Sequence, residues 1–135
     1  MNGQISIADY GRGQLSRQLD VLVFEMHQTR RLQDVESVHK LRVAIRRFRQ
    51  GLRVFEEYFP NKRTKKIRRD IRKIRYLAGD VRTRDIAIEM IREAQLDPQG
   101  IVDEREQYKA ELIGALSKLC NEELSVRWRS ELGLA

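Results

Sequence analysis

Eight arginines and one histidine recur in this chain at helical spacing, in two rows. His39, Arg42, Arg46, Arg49 and Arg53 make the first. At about 100° per residue they share one sector of a helix, roughly 110° away from Val38, Leu41, Ile45, Phe48, Leu52, Phe55 and Phe59 of the same segment. Arg68, Arg72, Arg75 and Arg82 make the second row, beside Ile67, Ile71, Ile74, Ala78 and Val81, with Gly79 among them. A guanidinium grips an oxyanion through two parallel N–H donors. A row of one sign at helical pitch repels itself unless an anion neutralises it. The chemistry these residue types favour is the holding of an anion.

The wider charge distribution agrees. Residues 39–84 hold 17 of the 27 Lys and Arg but only four of the 20 acids, so that segment is +13 while the whole chain is +7. The remainder, at −6, is too weakly acidic to cancel it by folding against it, and an anionic partner is expected. His39, at the head of the first row, is read as a phosphate contact; the alternative is a structural histidine bonded to a backbone carbonyl or to Asp85. Arg82 and Asp85, three residues apart, are expected to pair, with Asp85 orienting the arginine. Arg47 and Lys73 point away from the rows and read as solvated. Tyr76 lies near the second row, where packing at the core edge is favoured over ligand contact. No metal site is expected: His27 belongs to a different helix, and no cysteine or carboxylate cluster completes a ligand set. No cofactor motif is present, and the chain is not expected to be an enzyme.

These rows need long helices to carry them. Two prolines and eight glycines in 135 residues, with abundant Leu, Arg, Glu, Ala and Lys, argue for an all-α protein. The periodicity predicts a first helix over 10–33, burying Leu15, Leu19, Leu22 and Met26, and a second over 36–59 with Asp34 or Ser37 as its cap. A third runs over 62–96, capped by Asn61 or Thr64. Past Asp85 its apolar positions move to Ile86, Ile88, Met90 and Ile91, which predicts a break near 85. Asp97-Pro98 would cap a fourth helix over 99–130, built on Tyr108, Leu112, Ala115, Leu116 and Leu119, and on Leu124 and Trp128. Four such elements with short connections predict one domain, 1–135, folded as a four-helix bundle of long antiparallel helices. The apolar runs are too short to span a membrane, and the N-terminus has no signal-peptide pattern. With one cysteine, Cys120, a cytoplasmic setting is expected.

The string Val38-His39, Arg42-Val43, Arg46-Arg47, Arg49, Arg53 and Phe55 resembles the signature helix of the CHAD family, the conserved histidine α-helical domains. Gly79, Arg82 and Asp85 are similar to a later Leu-Gly-x-x-Arg-Asp-x-Asp run of that family, with Thr83 where its first acid is usual. The resemblance covers about residues 10 to 95, the first half of a member. It implies an all-helical, non-enzymatic domain that binds inorganic polyphosphate through its basic surface, here the two arginine rows, and that accompanies triphosphate-handling domains or associates with polyphosphate granules. Members are usually about twice this length, built as two related bundles. Either one bundle suffices here, or two chains form a homodimer to restore the second half.

Two rivals remain. The same charge suits RNA or DNA, or polyanions generally, but the rows lack the interleaved aromatics on which bases stack. Triphosphatase chemistry needs a Glu-x-Glu-x-Lys, and Glu104-Arg105-Glu106 is followed by Tyr108 where the lysine should stand. A membrane surface is excluded as a partner because the apolar faces are needed for the core.

Overall fold

The computed structural model describes residues 6–59, 61–121 and 123–134, and every regular element among them is helical. They are α1 (Ile7–Leu32), α2 (Val35–Val54), a single 3-10 turn (Glu56–Tyr58), α3 (Asn61–Glu93), α4 (Gln99–Leu119) and α5 (Leu124–Leu132). No described helix is long and apolar enough to cross a membrane.

The reversal between α1 and α2 is set by local chemistry. Gln33 takes the left-handed conformation (φ 55°) that ends α1, and Asp34 begins α2. The Asp34 carboxylate accepts from the Ser37 N–H at 2.8 Å, and the Ser37 hydroxyl accepts from the Asp34 N–H at 3.2 Å. Both residues suggested by the sequence therefore share the cap, as a reciprocal pair that satisfies two otherwise orphaned donors. Thr29, wholly buried, donates its hydroxyl to Glu25 O of its own helix at 2.7 Å and packs against α2 just behind the turn, with Ser37 O 3.2 Å away. Further along, the antiparallel pair closes on two glycines. A Cβ at Gly51 would lie 2.9 Å from Leu15 Cδ2, and one at Gly11 would lie 2.8 Å from the Phe55 ring.

Leu15, Leu19, Leu22 and Met26 of α1 are buried against Val38, Leu41, Ile45, Phe48 and Leu52 of α2 and Ile67, Ile71, Ile74, Ala78 and Val81 of α3, in one continuous core. The expected break near residue 85 is absent, and α3 runs unbroken to Glu93. Its buried row in fact continues in phase: after Val81 come Asp85 and Ile88, both buried, while Ile86 and Met90 are exposed. A carboxylate at a core position interrupted the apolar pattern and imitated a phase slip.

The expected fourth helix is two helices. α4 stops at Cys120, and the chain turns through Asn121, whose Oδ1 accepts from the Glu123 N–H at 3.0 Å. α5 then folds back so that Leu124, Trp128 and Leu132 are buried. Arg129 of α5 reaches α1, donating to Ser16 Oγ at 2.6 Å and pairing with Asp20. At the start of α4, Asp97 Oδ1 accepts from the Gln99 N–H at 3.0 Å, while Pro98 and not Asp97 occupies the cap position. α3 begins at Asn61, with Thr64 buried one turn inside, and its cap lies outside the described residues.

Candidate anion-binding groove

α2 and α3 lie side by side, and each turns its arginine row toward the seam between them. The result is an open groove of about 500 Å3 lined by Arg46, Arg49 and Arg53 of α2 and Arg68 and Arg72 of α3. Leu52 and Ile71 supply its apolar lining, Gln50 a neutral polar group, and Glu56 its single acid. The two rows thus converge because each sits beside, and not on, its helix's buried stripe. When two such stripes pack together, the flanking sectors meet at the edge of the contact.

The electrostatics of the groove are those of crowded like charges. Burial, and then the neighbouring charges of Arg75 and Arg72, push the Arg49 guanidinium below its ordinary pKa. Arg75 therefore belongs to the same field. Its Nε, together with Nε and Nη2 of Arg68, is buried without a hydrogen-bond partner. Buried charged donors are ordinarily satisfied, so these three guanidinium nitrogens are exceptions to the rule. The Arg75 guanidinium also lies 5.0 Å from the Tyr76 ring centroid. Tyr76 is exposed, so it stacks on an arginine at the groove's edge and does not pack into the core edge as expected.

His39, Arg42 and Arg82 continue the same rows beyond the groove lining. His39 and Arg42 are exposed, Arg82 is half-buried, and none of the three has a hydrogen bond or ion pair among the described residues. A structural histidine bonded to a carbonyl or to Asp85 is not what the structure contains. Gly79 is open: a Cβ there would meet nothing within 4 Å.

Asp85 does orient an arginine, but the arginine is Arg105 of α4 and not Arg82. Arg105 Nε donates to Asp85 Oδ1 at 2.7 Å, and both side chains are buried. The i, i+3 spacing placed Asp85 near Arg82, but the carboxylate faces the core while Arg82 faces outward. Arg105 was missed. Its signal was the seven-residue step to Leu112, which puts Arg105 on the buried face of α4 opposite an equally misplaced acid on α3. Arg84, outside both rows, turns toward α4, where it meets Glu104 at 3.4 Å and lies 4.3 Å from the Tyr108 ring centroid. Among the described residues no cluster of His, Cys, Asp and Glu could hold a metal ion.

The family model for the CHAD domain matches residues 13–133. The chain belongs to the CHAD domain family. No curated protein and no solved structure matches it significantly. The matched stretch extends well past residue 95, where the resemblance read from the motifs stopped. In this CHAD domain it takes in most of α1 and the whole of α2 to α5, so the helix supplying Arg105 falls within the family's unit.

Proposed function

We propose that this chain binds inorganic polyphosphate without turning it over, with the polymer lying along the α2–α3 groove. The observation that carries the reading is the convergence of Arg46, Arg49, Arg53, Arg68 and Arg72 on one groove with a single acid. Membership of the CHAD family, associated in general with polyphosphate and triphosphate binding, supports it. The packed helices α1 to α5 act as the frame that brings the two rows to one groove. His39, Arg42 and Arg82 extend the contact toward the α2 N-terminus. The setting is the cytoplasm, at polyphosphate granules where these form, and a homodimer would offer one polymer two grooves.

Affinity in such a site comes from charge neutralisation and counterion release, so it falls steeply with salt. The test is competition of labelled long-chain polyphosphate against duplex DNA and RNA at two salt concentrations. Polyphosphate is expected to win by about tenfold or more at moderate salt, and Arg49→Ala with Arg72→Ala to abolish most of that binding. Equal retention of all three polymers would reduce the groove to a general polyanion surface. Retention of none would overturn the reading.

A further inference from the structure

α3 carries a second cationic row on its other flank. Lys66 and Lys73 of α3, Lys118 of α4 and Arg127 near the start of α5 converge on a pocket of about 350 Å3 that contains one acid, Asp70. None of these five charged groups has an ion pair or hydrogen bond among the described residues. At 100° per residue, Lys66 and Lys73 lie about 150° round the helix from Arg68, Arg72 and Arg75. The buried stripe of α3 is therefore bordered by arginine toward α2 and by lysine toward α4.

The two rows are continuous across the outside of the helix. Lys65 and Arg69, exposed and unpaired, occupy the solvent face between them. From Lys62 to Arg75, Asp70 is the only acid. Along that stretch the helix is cationic on three sides, relieved only at Asp70 between Lys66 and Lys73, and an anion confined to the groove would neutralise only the arginine side.

We propose that the lysine pocket is a second phosphate site. One polyphosphate chain leaving the arginine groove crosses Lys65 and Arg69 to reach it, and so winds part-way around α3. This rests on the polyphosphate reading above. Ammonium groups suit the second site because they act as mobile point charges and need no fixed bidentate geometry. The path also selects for the polymer's flexibility. A duplex with a persistence length of about 50 nm cannot bend around a helix about 10 Å across, whereas an unbranched phosphate chain can.

The experiment compares the wild type with a Lys66→Gln, Lys73→Gln, Lys118→Gln triple variant, each checked for helicity by circular dichroism, on tripolyphosphate and on long-chain polyphosphate over a salt series. The variant is expected to hold tripolyphosphate as the wild type does. Its long-chain affinity should fall about tenfold, and the slope of log affinity against log salt should become shallower by about two to three. Unchanged long-chain affinity and slope would overturn the second site and leave the groove standing. Failure of the wild type to bind either ligand would overturn the groove reading and this inference with it.

Discussion

Asp85 and Arg105 meet at 2.7 Å, both buried, each at a position on its helix where the neighbouring turns carry an apolar side chain. The pair also ties three elements together, because Arg105 Nη2 reaches Gln33 O, at the end of α1, at 3.4 Å. Asp85 Oδ2 is buried without a partner, so the carboxylate is only half satisfied. Two desolvated charges rarely stabilise more than apolar replacements would, but leaving one alone is costly. Without Asp85 the Arg105 guanidinium keeps Glu106, at 3.4 Å, and Gln33 O, so Asp85→Ala is expected to lower the unfolding free energy by about 1–3 kcal/mol, measured by urea denaturation. Asp85→Leu combined with Arg105→Met should recover most of that loss. A double variant no more stable than Asp85→Ala would show that the pair does more than neutralise itself.

The glycines separate into two kinds, and the same substitution should act on them with opposite sign. At Gly79 an added methyl meets open space on a helical backbone, so Gly79→Ala should stabilise α3 by about 0.5–1 kcal/mol. At Gly51 the methyl would press on the fully buried Leu15 and on Gln18, so Gly51→Ala should destabilise by about 1–3 kcal/mol. Thermal unfolding of both variants against wild type gives the comparison. A destabilised Gly79→Ala would mean that a helix or another group packs there after all.

These positions show what could be read before the structure was known. The rows of Leu15, Leu19, Leu22 and Met26, of Val38 to Leu52 and of Ile67 to Val81 were legible because each repeats at three and four residues with no interruption. The arginine rows were legible for the same reason, and their convergence followed once their stripes packed. Asp85 and Arg105 were opaque because a charge on a buried face is meaningful only when its partner, 20 residues away, is seen opposite it. The end of α4 was opaque because Cys120 and Asn121 are not strong helix breakers, and it is the burial of Trp128 and Leu132 that turns the chain. The lysine pocket draws on three helices, so no single stretch of sequence announces it.

Asp34 gives stability a dependence on acid. The Ser37 N–H, and then the Ser37 hydroxyl, hold its carboxyl below the ordinary value. The unfolded chain therefore takes up a proton there before the folded one does. The stabilisation is fully present above the ordinary carboxylate range and is lost as pH falls through the folded-state value. Wild type should exceed Asp34→Ala in urea midpoint by a constant margin down to about pH 5, and the margin should shrink below about pH 4. Asp34→Asn, which can still accept from Ser37, should keep much of the cap and lose the pH dependence. A margin that did not change with pH would mean that the carboxylate charge plays no part in starting α2.

His39 is the sharpest test of the rows themselves. It heads the α2 row, is exposed, and bonds to nothing described, so the fold makes no use of it. Substitutions at such surface positions usually change stability by no more than about 0.5 kcal/mol, and His39→Ala is expected to stay within that limit. Its consequence should appear on the ligand instead. If the polymer runs from the groove past Arg42 toward the start of α2, His39→Ala and Arg42→Ala should each weaken long-chain polyphosphate binding several-fold, while tripolyphosphate, short enough to sit in the groove, is held as before. Isothermal titration with both ligands separates these outcomes. Loss of stability in His39→Ala would restore a structural role for the histidine, and unchanged binding of both ligands would confine the site to the arginines between Arg46 and Arg75.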